Sequence, residues 1–377
     1  MIKARLFTPG PTDVPPEVLN EMAKPIFHHR TEQFHDMFAE VNAGLKKILQ
    51  TQNDVITIAG SGTAGMEAAI ACAVPRDRKV LVSNGGKFGE RWAEVARVYG
   101  LDVDEVMLEW GTALQPGLVK EKLATGEYGA VVTVYSETST ATVCDLEAIG
   151  KAVAETDAIL IADCITAAGA LPLRTDEWHV DIVGCGSQKA FMLPPGLAVI
   201  SVSEKAWKNV DRIDAPCFYL DLKAYRKSLA KNDTPYTGPV SLIRGLKVSV
   251  DRINEIGVEK IWARVALLAK ATRAAAEALG MKLISKQPAD SVTGLFFPEG
   301  VDDGFRKKLQ SKYGISVAGG QEALKGKVMR ISHLGYVDAV ETIGMIAAFE
   351  YALADSGVDV EIGAGVTAAV KVLRDWE

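Results

Sequence analysis

Apolar and polar positions along this chain alternate in blocks. Residues 55–59 (Val-Ile-Thr-Ile-Ala) form a β-branched run, residues 60–65 (Gly-Ser-Gly-Thr-Ala-Gly) a glycine turn, and residues 66–74 a stretch with helical spacing. The block reads strand, turn, helix. The same order recurs as strand 79–83 and helix 88–99, strand 102–107 and helix 116–123, and strand 130–135 and helix 146–155. Runs 158–163, 181–185 and 197–202 are apolar without alternation, the pattern of strands covered on both faces. Strand and helix in regular succession predict a large, mostly parallel α/β/α sheet.

Beyond about residue 250 the texture changes. A long helical stretch, 256–279, has Ala and Leu spaced to pack on one side, followed by strand 292–297, helix 304–313, strand 328–332 and helix 339–353. This smaller α+β set predicts a second domain, so the expected division is an N-terminal segment 1–20, a large domain 21–252 and a small C-terminal domain 253–377. Residues 223–238 are polar and aperiodic, and they read as a loop long enough to carry function.

Composition narrows the class. The 377 residues are 48% hydrophobic and 24% charged, as in a folded, water-soluble protein of two or three domains. Lys plus Arg number 42 against 48 Asp plus Glu, a net charge of −6, and no basic run stands out, which counts against a nucleic-acid partner. The five cysteines include no Cys-x-x-Cys pair, so neither a zinc knuckle nor a disulfide framework is expected and a reducing cytoplasm is the expected compartment. Thr8 to Pro11 interrupt the start before a signal-peptide core can form, and the longest apolar runs fall far below the roughly 20 residues of a membrane helix.

Three positions carry candidate chemistry. Gly60-Ser61-Gly62-Thr63, between strand and helix, leaves unpaired amides at a helix N-terminus where an anion is favoured; taken alone it is equally a tight turn with an N-cap. Asp163 ends an apolar strand, where open α/β sheets present groups to their crevice, and a buried carboxylate there calls for a cationic partner; its plainer role is to cap the following helix. Lys189, in Ser187-Gln188-Lys189, follows a buried strand, and burying an ammonium is costly unless it loses its proton or forms an imine with a carbonyl compound.

Phosphate cradle, strand-end carboxylate and strand-end lysine together are the contacts that pyridoxal phosphate requires. The chain resembles the class V aminotransferases of pyridoxal phosphate fold type I, close to alanine-glyoxylate and serine-pyruvate aminotransferases, over nearly its whole length. The residues that carry the resemblance are Thr8-Pro-Gly-Pro-Thr12, Gly60-Ser-Gly-Thr-Ala-Gly-Met-Glu-Ala68, Ser136-Glu-Thr-Ser-Thr140, Asp163, Gly186-Ser-Gln-Lys-Ala190 with Pro194-Pro-Gly196, and Gly326-Lys-Val-Met-Arg-Ile331.

That resemblance implies Lys189 as the residue that bonds the cofactor and shuttles the proton, and Asp163 as the partner of its pyridine nitrogen. It implies Ser61, Gly62, Thr63 and Gln188 at the phosphate, Thr138 beside the ring, Arg330 as the clamp for the substrate carboxylate, and Gly10 on the substrate side. Where animal members of the family stack a tryptophan on the ring, this chain offers Phe88 within Asn84-Gly-Gly-Lys-Phe88. Thr234-Pro-Tyr-Thr237 matches a segment that reaches the neighbouring subunit's phosphate, which implies a homodimer with shared sites and cofactor contacts from Thr234 and Thr237. His28-His29-Arg30 resembles a motif near the substrate mouth and implies a part for Arg30 in substrate selection. With His35, His179 and His333 the only other histidines and no His-Glu-x-x-His helix, no metal is expected.

The expected reaction is transfer of an amino group from alanine or serine to glyoxylate or pyruvate, with aspartate as an alternative donor. A cysteine desulfurase of the same fold is the competing enzyme, but those usually place His before the lysine and a cysteine in the C-terminal part. Here Gln188 precedes Lys189 and no cysteine follows Cys217. A non-catalytic protein that kept the fold is the competing reading from another class, and retention of Lys189, Asp163 and Arg330 together weighs against it.

Overall fold

The computed structural model describes residues 2–374 and Trp376. Its centre is a seven-stranded sheet in the order Asp54–Ala59, Leu197–Val202, Ile182–Gly186, Ile159–Asp163, Tyr128–Val134, Lys79–Asn84, Val103–Met107. Leu197–Val202 runs antiparallel to both its neighbours and every other pairing is parallel, so the expected mostly parallel sheet is present. Helices must then cover both faces.

One face is closed by Gly62–Ala73 and Lys87–Val98, whose Met66, Ile70 and Trp92 are fully buried with Val80, Val82 and Ile161 from the strands. The other is closed by Glu32–Leu49 and Val240–Ile256, which bury Phe34, Phe38, Leu45 and Val250. These two helices meet where Gly44 lies against Val250: a Cβ at 44 would come within 2.2 Å of the valine Cγ1, so only glycine allows the approach.

A three-stranded antiparallel sheet, Val292–Phe296, Val328–Ser332 and Ala318–Gly319, packs with Val258–Ala278 and Ala339–Ala354 around a separate core that includes Leu268, Leu295, Phe305 and Phe349. Arg5–Leu6 pairs with Ile315–Ser316, which ties the start of the chain to this set.

The structure refines the sequence reading at three points. The expected helix 256–279 is Val258–Ala278, and Gly257, at φ 91°, separates it from the preceding helix Val240–Ile256. Half of the expected loop 223–238 is the helix Leu222–Leu229, capped by the Asp221 carboxylate accepting from Lys223 N. Beyond residue 354, where the sequence reading names no element, lies the helix Ala364–Leu373, whose first turn donates Val366 N to the buried Glu350. Among the described residues no helix is long and apolar enough to cross a membrane.

Candidate active site

Asp163 and Lys189 come together because their strands are neighbours. Ile159–Asp163 and Ile182–Gly186 are parallel, Asp163 stands opposite Gly184, and the chain turns after 186 to bring Lys189 to the same sheet end. The turn is held by Ser187 Oγ, which donates to Pro194 O at 2.8 Å and accepts from Leu197 N at 3.1 Å. Residues 8–12 lie over the lysine. Thr12 donates its amide to Gln188 O (3.2 Å) and its hydroxyl to Lys189 O (3.0 Å), and Lys189 Nζ donates to Pro9 O. A Cβ on Gly10 would meet Lys189 Nζ at 2.2 Å, so the glycine, at φ 128°, leaves the amine its room.

The Asp163 carboxylate is 4% exposed and held at both oxygens, Oδ1 by Ile165 N (2.9 Å) and Oδ2 by Trp92 Nε1 (2.8 Å). Burial pushes its pKa up to about 6 against the pull of these two donors, so the group is poised to take a cation that would return it to full ionisation. Burial also pulls Lys189 down to about 8; Asp163 opposes that shift, while Arg330 and Arg91 add to it. About a tenth of such amines are unprotonated at pH 7.

The cradle lies beside them. Helix Gly62–Ala73 has no side-chain cap at Ser61, so its first amides point outward unclaimed by a side chain of the chain itself. A Cβ imagined on Gly186 would lie 3.1 Å from Gln188 Oε1 and 3.6 Å from Gly62 N, which puts the Gln188 amide and the helix N-terminus around one point. Gln188 Oε1 is buried with no hydrogen-bond partner, and turning that amide over presents a donor instead. Thr63 Oγ1 accepts from Arg91 Nη1 at 3.5 Å, and the Arg91 guanidinium sits 4.9 Å from the centre of the Phe88 ring.

Arg330 comes from the other sheet. It is 7% exposed, donating Nε to Gly319 O and Nη1 to Thr138 O, each at 2.9 Å, so its remaining nitrogen is not spent on either carbonyl. Burial lowers its pKa to about 10, with the Glu137 carboxylate acting in the opposite direction. Thr138 is fixed by its hydroxyl, 2.8 Å from Thr166 Oγ1, which donates in turn to Ser136 O at 3.0 Å.

The other assigned residues sit elsewhere on the chain. Arg30 is bound to the Asp233 carboxylate, to Thr234 O (2.6 Å) and to Pro235 O (3.3 Å), so in one chain it shapes the 233–235 turn and shares no hydrogen bond with Lys189 or Arg330. Thr234 is buried and donates to Tyr236 O at 2.7 Å, while Thr237 is exposed. Thr237 lies with Phe27, His28, His29 and Leu242 on an open hollow of about 540 Å³. A separate cavity of about 340 Å³, lined by Ala190, Met192, Arg252, Val265 and His333, lies behind the lysine turn and does not include Lys189. No group of three or more His, Cys, Asp or Glu among the described residues could hold a metal ion.

Sequence reading missed Trp92, Arg91 and Glu137. Trp92 lies one helical turn after Phe88, so an i, i+4 search from the aromatic would have found it. Glu137 carries no such signal, because its four donors come from residues 88, 89 and 139 through a fold-dependent approach.

Comparison with known proteins places this geometry. The family model described as "Aminotransferase class-V" matches residues 5–343. A relative named "Soluble hydrogenase, small subunit", from Synechococcus sp., is 42% identical over 98% of this chain and 98% of its own. Two others, named L-aspartate–glyoxylate aminotransferase from Paracoccus denitrificans and serine–glyoxylate aminotransferase from Methylorubrum extorquens, are each 36% identical over 98% of this chain and 96% of theirs. The crystal structure of ureidoglycine-glyoxylate aminotransferase from Bacillus subtilis superposes with a TM-score of 0.95 at 28% identity, over 100% of this chain and 99% of that one.

Proposed function

The chain belongs to the class-V aminotransferase family, and from that premise we propose that it holds pyridoxal phosphate between Asp163 and Lys189 and moves an amino group from alanine or serine to glyoxylate or pyruvate. One observation carries the reading: a locked buried carboxylate and an amine of lowered pKa share one sheet end beside an uncapped helix N-terminus. The residues fit the cofactor: the cradle of Ser61, Gly62, Thr63 and Gln188 suits its phosphate, Asp163 its pyridine nitrogen, and Lys189 its carbonyl carbon. When bound, it supplies an electron sink for the carbanion left at the substrate's α-carbon.

The chain's own residues do the rest. Lys189, whose pKa burial lowers, would hold the cofactor at its carbonyl carbon and would carry the substrate's α-proton. Asp163, given a cationic neighbour, stays ionised and keeps the pyridine nitrogen protonated. Phe88, whose ring centre lies 4.9 Å from the Arg91 guanidinium, would stack on the cofactor ring. Arg330, fixed by two backbone carbonyls, pairs with the substrate carboxylate and so orients the amino group; Gly10 keeps the space beside Lys189 open.

The relatives named for glyoxylate support that acceptor, and the one named for L-aspartate supports aspartate as the alternative donor. A homodimer with shared sites is part of the same reading. Thr237 is exposed beside an open hollow with apolar walls, from which the Thr234–Thr237 segment would reach a partner's phosphate, while Arg30 would bear on substrate selection. The test is the visible spectrum of the protein loaded with pyridoxal phosphate. A band that alanine, serine or aspartate bleaches and glyoxylate or pyruvate restores establishes the reaction and its donor. A protein that forms no band with added pyridoxal phosphate overturns the reading.

A further inference from the structure

One buried carboxyl group has no part in the chemistry above: burial raises its pKa, and four hydrogen-bond donors around it pull the other way. Glu137 is 5% exposed, and its carboxylate accepts from Phe88 N (3.2 Å) and Gly89 N (3.1 Å) through Oε2, and from Ser139 N (3.1 Å) and the Ser139 hydroxyl through Oε1. The helix Lys87–Val98 has no cap of its own at Gly86, so Glu137 caps it from the hairpin Ser136–Glu137 and Thr142–Val143, 49 residues along the chain. Ser139 completes the joint, with its hydroxyl accepting from Lys87 N at 2.9 Å. Gly86 is the packing counterpart. A Cβ there would come within 2.3 Å of Ser139 Oγ and 2.6 Å of Glu137 Cδ.

The two joined elements carry different halves of the site. The capped helix bears Phe88 in its first turn and, one turn on, Trp92, which holds Asp163. The hairpin continues into Thr138, whose carbonyl holds Arg330. Resting on the reading above, we infer that Glu137 is a positioning residue that fastens the cofactor-facing helix to the hairpin that aims Arg330, so that ring stacking and carboxylate binding are set by one buried anion. The Glu137 carboxylate also opposes the effect of burial on Arg330, whose hydrogen-bond partners are two carbonyl oxygens. Charge-assisted bonds of this kind are about twice as strong as neutral ones, and burial removes the competing water.

The experiment compares wild type, Glu137→Gln, Ser139→Ala, Phe88→Ala and the Glu137→Gln/Phe88→Ala double variant. It reads the dissociation constant of pyridoxal phosphate by fluorescence quenching of the apoprotein, and KM and kcat for the amino donor. In Glu137→Gln the cofactor dissociation constant and the donor KM each rise by about tenfold, while kcat at saturation changes by less than about threefold. In the Phe88→Ala background the Glu137→Gln effect on cofactor binding shrinks and its effect on KM persists, a split that general loss of stability does not produce. Ser139→Ala, which removes one donor to Glu137 and the acceptor of Lys87 N but leaves the Glu137 carboxylate in place, shifts both constants in the same direction by less, and it decides the question if Glu137→Gln does not fold. Unchanged cofactor binding and KM in variants whose wild-type parent binds pyridoxal phosphate overturn the role of Glu137 alone. A wild-type protein that does not bind the cofactor overturns both this inference and the function it rests on.

Discussion

The floor of the site and its outer loop are built in opposite ways. At the floor, Asp163, Lys189 and Arg330 are each fixed by contacts within one chain: Trp92 and Ile165 on the carboxylate, residues 9–12 over the lysine turn, Gly319 and Thr138 on the guanidinium. At the outer loop, Arg30 and Asp233 spend their charges on each other, Thr234 spends its hydroxyl on Tyr236, and Thr237 faces outward. The floor is therefore held as a charge arrangement by contacts within one chain, whereas the loop is stiffened locally and keeps an exposed hydroxyl. On the proposed reading, chemistry belongs to the first region and completion of a partner's site to the second.

The sharpest break in this comparison is Lys189→Ala. It removes both the nucleophile and the proton carrier, and turnover should fall by a factor on the order of 10⁴ or more, measured with the donor that bleaches the wild-type spectrum. Substitutions in the loop should never approach that loss. Next in size is Arg330→Gln. Removing a fork that pairs with a carboxylate leaves two carbonyls and a buried substrate charge less satisfied, and kcat/KM should fall about a hundredfold, mostly through KM. A fall confined to kcat would remove Arg330 from substrate binding.

Legibility followed the same division. Lys189 and Asp163 could be read because Asp163 ends an apolar strand and Lys189 follows one within three residues, and the end of a buried strand is a place the sequence marks. The sheet itself was legible from the same runs. Helix Glu32–Leu49 carries a legible period, with Phe34, Phe38, Val41, Leu45 and Ile48 at three- and four-residue intervals, although no element was expected there. Leu222–Leu229 was hidden by the polarity of its exposed face, since only Leu222 and Tyr225 are buried. Trp92 and Glu137 act across 71 and 49 residues, and such contacts exist only once the sheet order has been set. Arg30 shows the opposite failure: the motif was visible, but its pairing with Asp233, 203 residues away, was not.

A third prediction tests whether the floor is strained before it is filled. Lys189 has a folded pKa of about 8 against 10.5 for a free lysine, so the unfolded chain holds more protons between those values. By linkage, the stability of the apoprotein should rise with pH through that window, the contribution being fully present above 10.5 and lost as pH falls through 8. From pH 7 to 9.5 the wild type should gain about 2 kcal/mol relative to Lys189→Met, measured by urea unfolding of both apoproteins. Equal changes in the two proteins would show that the amine is not held in its neutral form by the fold.

The smallest expected effect bears most directly on the loop. Thr237→Ala should raise the cofactor dissociation constant only about three- to tenfold, the range for one hydrogen bond to a charged group. Its meaning depends on whose phosphate the hydroxyl serves, and mixed dimers separate the cases. Co-expressed with Lys189→Ala under two tags and purified for both, the hybrid has one site with an intact lysine. If Thr237 acts across the interface, that site also has an intact threonine, supplied by the Lys189→Ala chain, and it binds pyridoxal phosphate as tightly as wild type. If Thr237 serves its own chain, the same site keeps the weakened affinity of the single variant. Wild-type affinity in the hybrid would thus assign the loop to the partner's site, and the weakened value would return it to the chain that bears it.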